Sequence, residues 1–547
     1  MRWLAILAAL AHCAQAHAGS DMNVLTYHND DGRSGLYPNE TILKINNVKA
    51  ASFGKLLSYP VDGEIYAQPL YVQNVDVGGK GPHNVVYVAT QHNSVYAFDA
   101  DACPGDQAQP LWHVRLLDAA GRARPVPEAD VKSADISPEI GITATPVIDA
   151  TSGTIYVVSK TKEGWLTYAQ RLHALDIATG VEKFGGPVEI NATVDGSGSG
   201  SGLFGRIGFA PRTQLNRPGL ALANGVVYSL YGSHGDRGKY HGWVLGHAAR
   251  SLRPVQVFNT TPNGEDGGIW MSGAAPAIDR DGSLYFSTGD GSFEARKPFS
   301  NFGNSFLKLF PRDGALTLAD YFTPHDYAAL NEHDLDVGGG GVVLLPDAMG
   351  SRAHPHLMVG CGKGGKLYVL DRDRLGQFNP ADDSQVVQTL NGTTRACFSM
   401  PAVFAGKIYM HAGGDTLKAL AVSDGRISET PVSETSKRAG YPGATPSISS
   451  NRGTDGIVWI VDAEAFRQRG PAVLRAYDAN DLSRELYNSS ESGVRDRAGP
   501  AVKFTLPTIA NGRVYVGTST ELTLYGLLPE ATSAQRMRDG RCTAIRN

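Results

Sequence analysis

Apolar and polar residues alternate along most of the chain, in short runs bounded by Gly, Asp, Asn and Pro. A period of two places successive side chains on opposite faces, so the runs predict short antiparallel strands rather than helices. The runs recur as a unit: a small-x-Pro-apolar step, a Gly turn, a G-x-[apolar]-Y strand, then a strand ending near A-x-D. Examples are TATPVIDATSGTIYVVS (143–159), GAAPAIDRDGSLYFST (273–288), SMPAVFAGKIYMHA (399–412) and TLPTIANGRVYVGT (505–518). The recurring prolines are Pro69, Pro146, Pro218, Pro276, Pro401, Pro446 and Pro507. A further unit, GGGGVVLLPD with HLMVGCGKGGKLYVLDRD (338–373), lacks that proline but keeps the rest, which makes eight units.

Each unit has roughly 65 residues, enough for one four-stranded blade with loops. The expectation is an all-β, eight-bladed β-propeller of antiparallel blades. The early strand FGKLLSYPV (53–61) has no blade of its own and is expected to complete the last blade. Closing the ring that way leaves only short, protected edges. Two stacked β-sandwiches are the alternative architecture.

Composition narrows the class further. Gly accounts for 64 of 547 residues, above the usual ~7% and in keeping with frequent turns. Charged residues are 19% and the formal net charge is -4, which argues against a disordered chain and against a nucleic-acid partner. Residues 1–18 read as a signal peptide, with Arg2, an apolar core and A-x-A steps at Ala14–Ala16 and Ala16–Ala18. The organisation expected is thus 1–18 signal peptide, 19–529 propeller and 530–547 polar tail. The protein is expected to be exported, periplasmic or secreted, with no transmembrane segment. Cys103, Cys361, Cys397 and Cys542 remain after cleavage and allow three connectivities. Neighbouring end blades suggest Cys103 with Cys542. No C-x-x-C-H is present, so no covalent haem is expected.

The VYVAT…SVYAFDAD and ALDIATG elements resemble the repeat of quinoprotein propellers. That family includes alcohol dehydrogenases using pyrroloquinoline quinone (PQQ) and the cofactor-free assembly factor BamB. Residues 283–371 resemble the dehydrogenase branch more closely, through STGDGSF, TPHD at Thr323–Asp326, DLDVGGGG and GCGKGGKLYVLD. The resemblance implies PQQ and calcium as cofactors. It places Asp290 and, in a shifted register, Asp236 as calcium ligands. Asp336 falls at the catalytic base, Lys363 at a quinone contact and Trp270 at the quinone's floor. The chemistry is coherent. A carboxylate can take the substrate hydroxyl proton as hydride leaves, and a hard cation favours oxygen ligands.

Each residue also has a plainer reading. Asp290 follows a Thr-Gly step and suits a turn. Asp336 precedes four glycines and could cap a turn, and Lys363 could be a solvated loop residue. His234, His241 and His247 are dense in sequence but match no ligand spacing. SGSGSGLFG (197–205) reads as a flexible insertion, solvated or lying over the propeller mouth. Two functions follow. One is a dehydrogenase oxidising an alcohol or sugar and passing electrons to a separate acceptor. The other is a non-catalytic propeller binding a protein, peptide or glycan.

Overall fold

The computed structural model describes residues 22–529 apart from 104–105, 107, 118–120, 296–299 and 313. The signal-peptide and tail segments, and the Cys542 half of the expected pairing, lie outside the described residues. Eight antiparallel four-strand units form the propeller. Their innermost strands are Leu70–Asp76, Val147–Asp149, Ala221–Ala223, Ala277–Ile278, Val342–Leu344, Ala402–Phe404, Ser447–Asn451 and Thr508–Ala510. The blades are numbered in that order. Phe53–Pro60 pairs antiparallel with Glu521–Leu527, so the eighth blade joins both ends of the propeller sequence as expected.

The repeated residues have visible jobs. Six of the seven prolines directly precede an innermost strand, where a missing N–H costs no ladder bond. In four blades the second-strand Tyr staples its blade to the next. Tyr87 donates to the Ile177 carbonyl at 2.9 Å, Tyr156 to Ala249 at 3.1 Å, Tyr409 to Ala479 at 2.7 Å and Tyr515 to Ala100 at 3.3 Å. Three of the four acceptors, Ile177, Ala479 and Ala100, sit at the turn after an A-x-D strand, so the two motifs recur together there. Trp112 adds a second bond to Ile177 O at 2.9 Å. It packs where Gly180, at φ 72°, leaves room for no side chain.

Residues 24–40 form an element the repeats do not announce. They wind around the bottom of the ring and bond to successive inner strands. The amides of Ile148, Ile278, Leu344, Val403 and Ile448 donate to the carbonyls of Leu25, Asp31, Gly32, Ser34 and Gly35. Arg33, fully buried, donates to Pro276 O, Thr26 Oγ1, Tyr27 O and Asp30 O. His28, also buried, bonds the carbonyls of Arg33 and Pro446. This segment plugs the axis from below and leaves a funnel above.

The 197–205 insertion is a ribbon tip between the paired strands Thr193–Asp195 and Arg206–Gly208. It is pinned to the third blade's loop through Gly198 N to Pro262 O and Ser199 N to Gly264 O. Leu203 and Phe204 are exposed at its end.

Candidate functional site

The funnel wall at blades four and five is built from segments that leave their strands before the axis. Asp290 sits in the bend after Leu284–Ser287. Asp334 and Asp336 follow the short helix Tyr327–Glu332. Lys363 follows Leu357–Cys361, and Trp270 precedes the fourth inner strand. Their backbones pack so closely that the glycine run is a steric requirement. A Cβ on Gly338 would lie 2.5 Å from Gly289 N, and one on Gly362 2.5 Å from Asp336 O. The disulfide Cys361–Cys397, with Cα atoms 5.9 Å apart, ties the same floor together.

These contacts bring Asp290, Asp336, Lys363 and Trp270 into one place. Oxygens of Asp290, Asp334 and Asp336 all lie within 4.8 Å of one another, a separation compatible with one hard cation. Lys363 Nζ pairs with Asp336 Oδ2 at 2.5 Å and also with Asp334. Asp336 is buried and accepts from Gly338 N at 2.8 Å, so it caps the Val337–Gly339 turn while also binding Lys363. The plain reading of this residue as a turn cap therefore holds, with an ion pair to Lys363 added. Trp270 is half-buried beside them. A Cβ on Gly289 would lie 3.1 Å from its Nε1 and 3.5 Å from Asp336 Oδ1.

Asp334, Asn304 and Asn331 complete the group, and the family pattern does not point to them. Buried Asn304 donates to Asn331 Oδ1 at 2.9 Å and to Asp290 Oδ1 at 3.4 Å, and accepts from Val337 N at 3.0 Å. The D-x-D spacing of Asp334 and Asp336 was the available sequence signal. Several residues here hold left-handed backbone conformations that L side chains rarely adopt. Met271, Ser272, Asn304 and Asp334 have φ of 47°, 51°, 52° and 53°. Such strain concentrates at functional sites.

Burial, then the neighbouring Asp336 charge, pushes the Asp290 carboxyl up to about 8. Burial also raises Asp336, against the opposing pull of Lys363. Burial works against the Lys363 ammonium, but Asp336 and Asp334 outweigh it and hold it charged. Three carboxylates thus share the positive charge of a single lysine.

Asp236 lies elsewhere in its surroundings. It is exposed, bonded to Tyr240 Oη at 2.5 Å, and is not one of the three clustered carboxylates. The three histidines do not converge. His234 Nε2 accepts from Lys160 Nζ at 2.6 Å, and His241 bonds Thr261 and Ser199. His247 is buried, and burial lowers it to about 4. Across the funnel, Phe398, Tyr441, Phe466 and Phe504 form an aromatic wall. Ring centroids are 5.1 Å apart for Phe398–Tyr441 and 6.1 Å for Tyr441–Phe504. A cavity of about 540 Å³ opens between Tyr441, Glu464, Phe466 and Arg467.

No protein-family model matches the chain, and no curated protein matches its sequence. Solved structures do match it in shape. The quinohemoprotein alcohol dehydrogenase of Comamonas testosteroni superposes with a TM-score of 0.59 at 13% identity, covering 93% of this chain and 82% of its own. A quinohemoprotein alcohol dehydrogenase of Pseudomonas putida HK5 gives 0.56 at 14% identity, covering 92% and 80%. A europium-containing methanol dehydrogenase gives 0.58 at 13%, covering 92% and 98%. At these identities the likeness is one of fold, and it agrees with the propeller architecture that the repeats predict.

Proposed function

We propose that the funnel is the redox site of an exported dehydrogenase that oxidises an alcohol or sugar. The observation that carries this is the convergence of Asp290, Asp334, Asp336 and Lys363 beside Trp270. The donor set fits the group that the resemblance implies. Three carboxylates suit a hard cation such as calcium, the indole offers a flat apolar face, and the ammonium suits a quinone oxygen. When bound, PQQ would supply a two-electron acceptor and calcium a Lewis acid.

The chain's own residues do the remaining work. Asp336, whose proton affinity is raised by burial, takes the proton of the substrate hydroxyl. Lys363 holds positive charge where negative charge develops on the acceptor. Asn304 fixes Asp290 and the Val337 backbone so that the carboxylates keep their spacing. Asp236 stands near enough for its charge to act on Asp290, and serves as an outer support rather than a direct ligand. Electrons leave for a separate acceptor, since the chain carries no C-x-x-C-H. The signal-peptide pattern and the Cys361–Cys397 disulfide support an oxidising, exported location. Among the described residues no helix is long and apolar enough to cross a membrane.

A dye-linked assay over primary alcohols and sugars, with PQQ and calcium added, tests this reading. D336N should lower kcat by about 10²-fold or more. A fully loaded protein inert to every substrate would overturn it. One observation favours the second reading, a propeller that binds a protein, peptide or glycan. Lys363 with Asp334 and Asp336, and Lys503 with Asp135, already neutralise one another across the funnel. On that reading K363M leaves partner capture intact and PQQ never binds.

A further inference from the structure

Arg217 lies directly before Pro218 at the entry to the third blade's inner strand, and meets rings from the first and eighth blades. It is only 3% exposed. Its guanidinium lies 5.2 Å from the centre of the Tyr66 ring and 4.7 Å from that of Phe504. Stacking between rings satisfies the face of a guanidinium but leaves its in-plane N–H donors unspent. Among the described residues no side-chain or backbone acceptor bonds to that group. Its nitrogens are also not among the polar atoms that are both sealed from solvent and unpartnered. The donors therefore open onto the funnel.

The neighbours supply only a shared counter-charge. Asp135 is taken by Lys503, which is itself 6% exposed. Burial works against the Asp135 carboxylate, but Lys503 and then Arg217 hold it ionised. Lys503 also lies over the Phe504 ring at 5.3 Å, and Arg467 over Tyr441 at 5.6 Å. Glu64, which bonds Tyr66, is pushed by burial up to about 7 and is a weak counter-charge. This wall is basic and aromatic, and the wall at Asp290 and Asp336 is acidic.

We infer that Arg217 anchors an anion-binding site, holding a carboxylate of a small planar ligand whose polar end points to the acidic wall. A planar fork fixed between two rings is prepared for two parallel bonds to a carboxylate, and little ordering remains to be done on binding. The carboxylate can belong to a quinone cofactor or to a substrate; the chemistry at Arg217 is the same. The inference stands on Arg217 and its surroundings and does not require the redox reading.

The test is calorimetric titration of the full chain with benzoate, with its neutral analogue benzamide, and with PQQ plus calcium. Wild type is compared with R217Q and R217K, after thermal melts confirm folding. At least one carboxylate probe should bind wild type, benzamide should bind more weakly, and R217Q should weaken the carboxylate about tenfold or more. Response of PQQ alone assigns the site to the cofactor. Response of benzoate without PQQ binding assigns it to a substrate carboxylate and removes the redox reading while Arg217 keeps its role. Should R217Q not fold, R217K carries the test, since it keeps charge but loses the fork. No carboxylate binding to wild type, or unchanged affinity in the variant, would overturn the inference.

Discussion

His411 offers a quantitative check on how the blades are packed. It lies on the sixth blade's strand Lys407–Ala412, 5% exposed, and both ring nitrogens lack a hydrogen-bond partner among the described residues. Burial lowers it from 6.5 to about 4, despite the opposing charges of Asp462 and Asp415; Arg475 and Lys437 reinforce the drop. The proton is therefore disfavoured in the folded state. Above the unfolded value of 6.5 both states are neutral and the histidine has no pH-linked cost. As pH falls from 6.5 toward 4, the unfolded chain takes up a proton that the fold refuses, so stability drops. A shift of about 2.5 units corresponds to about 3 kcal/mol, fully present below pH 4. His411→Leu removes this loss. It also removes two unpartnered buried nitrogens, so near pH 7 it should be neutral or stabilising by about 1–2 kcal/mol. Urea midpoints of both proteins near pH 7 and pH 4 measure the difference directly, because the other buried groups titrate in both. Identical pH dependence in the two proteins, or a variant destabilised by more than about 1 kcal/mol near pH 7, would refute the reasoning.

Further outcomes follow from the same geometry. Arg33→Met should lower stability by about 3 kcal/mol or more, read by thermal melting, because four acceptors in the axial plug lose their donor. Gly338→Ala should reduce both stability and cofactor binding, since its Cβ meets the Thr288–Gly289 backbone at 2.5–2.6 Å and backbone cannot rotate away. Calcium affinity of the chelator-treated protein should rise between about pH 6 and 8 and level off above, because Asp290, raised to about 8, must lose its proton to bind a cation. Isothermal titration in buffers of different ionisation enthalpy reads the released proton, and D290N should flatten the curve.

The blades were legible because their signals are local and repeated. Proline precedes the inner strand in six blades, and in four a second-strand tyrosine bonds the turn of the next blade, so the same local geometry leaves the same letters again and again. The closing strand was legible as the one strand without a blade. The axial plug was not, because residues 24–40 bond through main-chain carbonyls, which impose no side-chain pattern. The site was half legible. Asp290, Asp336, Lys363 and Trp270 converge as the resemblance implies, whereas Asp236 faces Tyr240 instead. Asp334 and Asn304 enter through a helix-to-turn geometry that spacing alone does not encode. Arg217 was hidden for a related reason, since its partners Tyr66 and Phe504 come from the first and eighth blades and meet only when the ring closes. The pairing of Cys361 with Cys397, over 36 positions, likewise depends on how the fifth and sixth blades sit side by side.

The proposed dehydrogenase requires the funnel to take a quinone together with a cation. The most direct measurement is titration of the chelator-treated protein with PQQ, followed by calorimetry and by quenching of indole fluorescence, with and without calcium. One-to-one binding at about micromolar affinity or tighter is expected with calcium present. Binding should weaken markedly without calcium or in D290N, and most quenching should be lost in W270F. Absence of binding in both conditions, or binding indifferent to calcium, D290N and W270F, would contradict it.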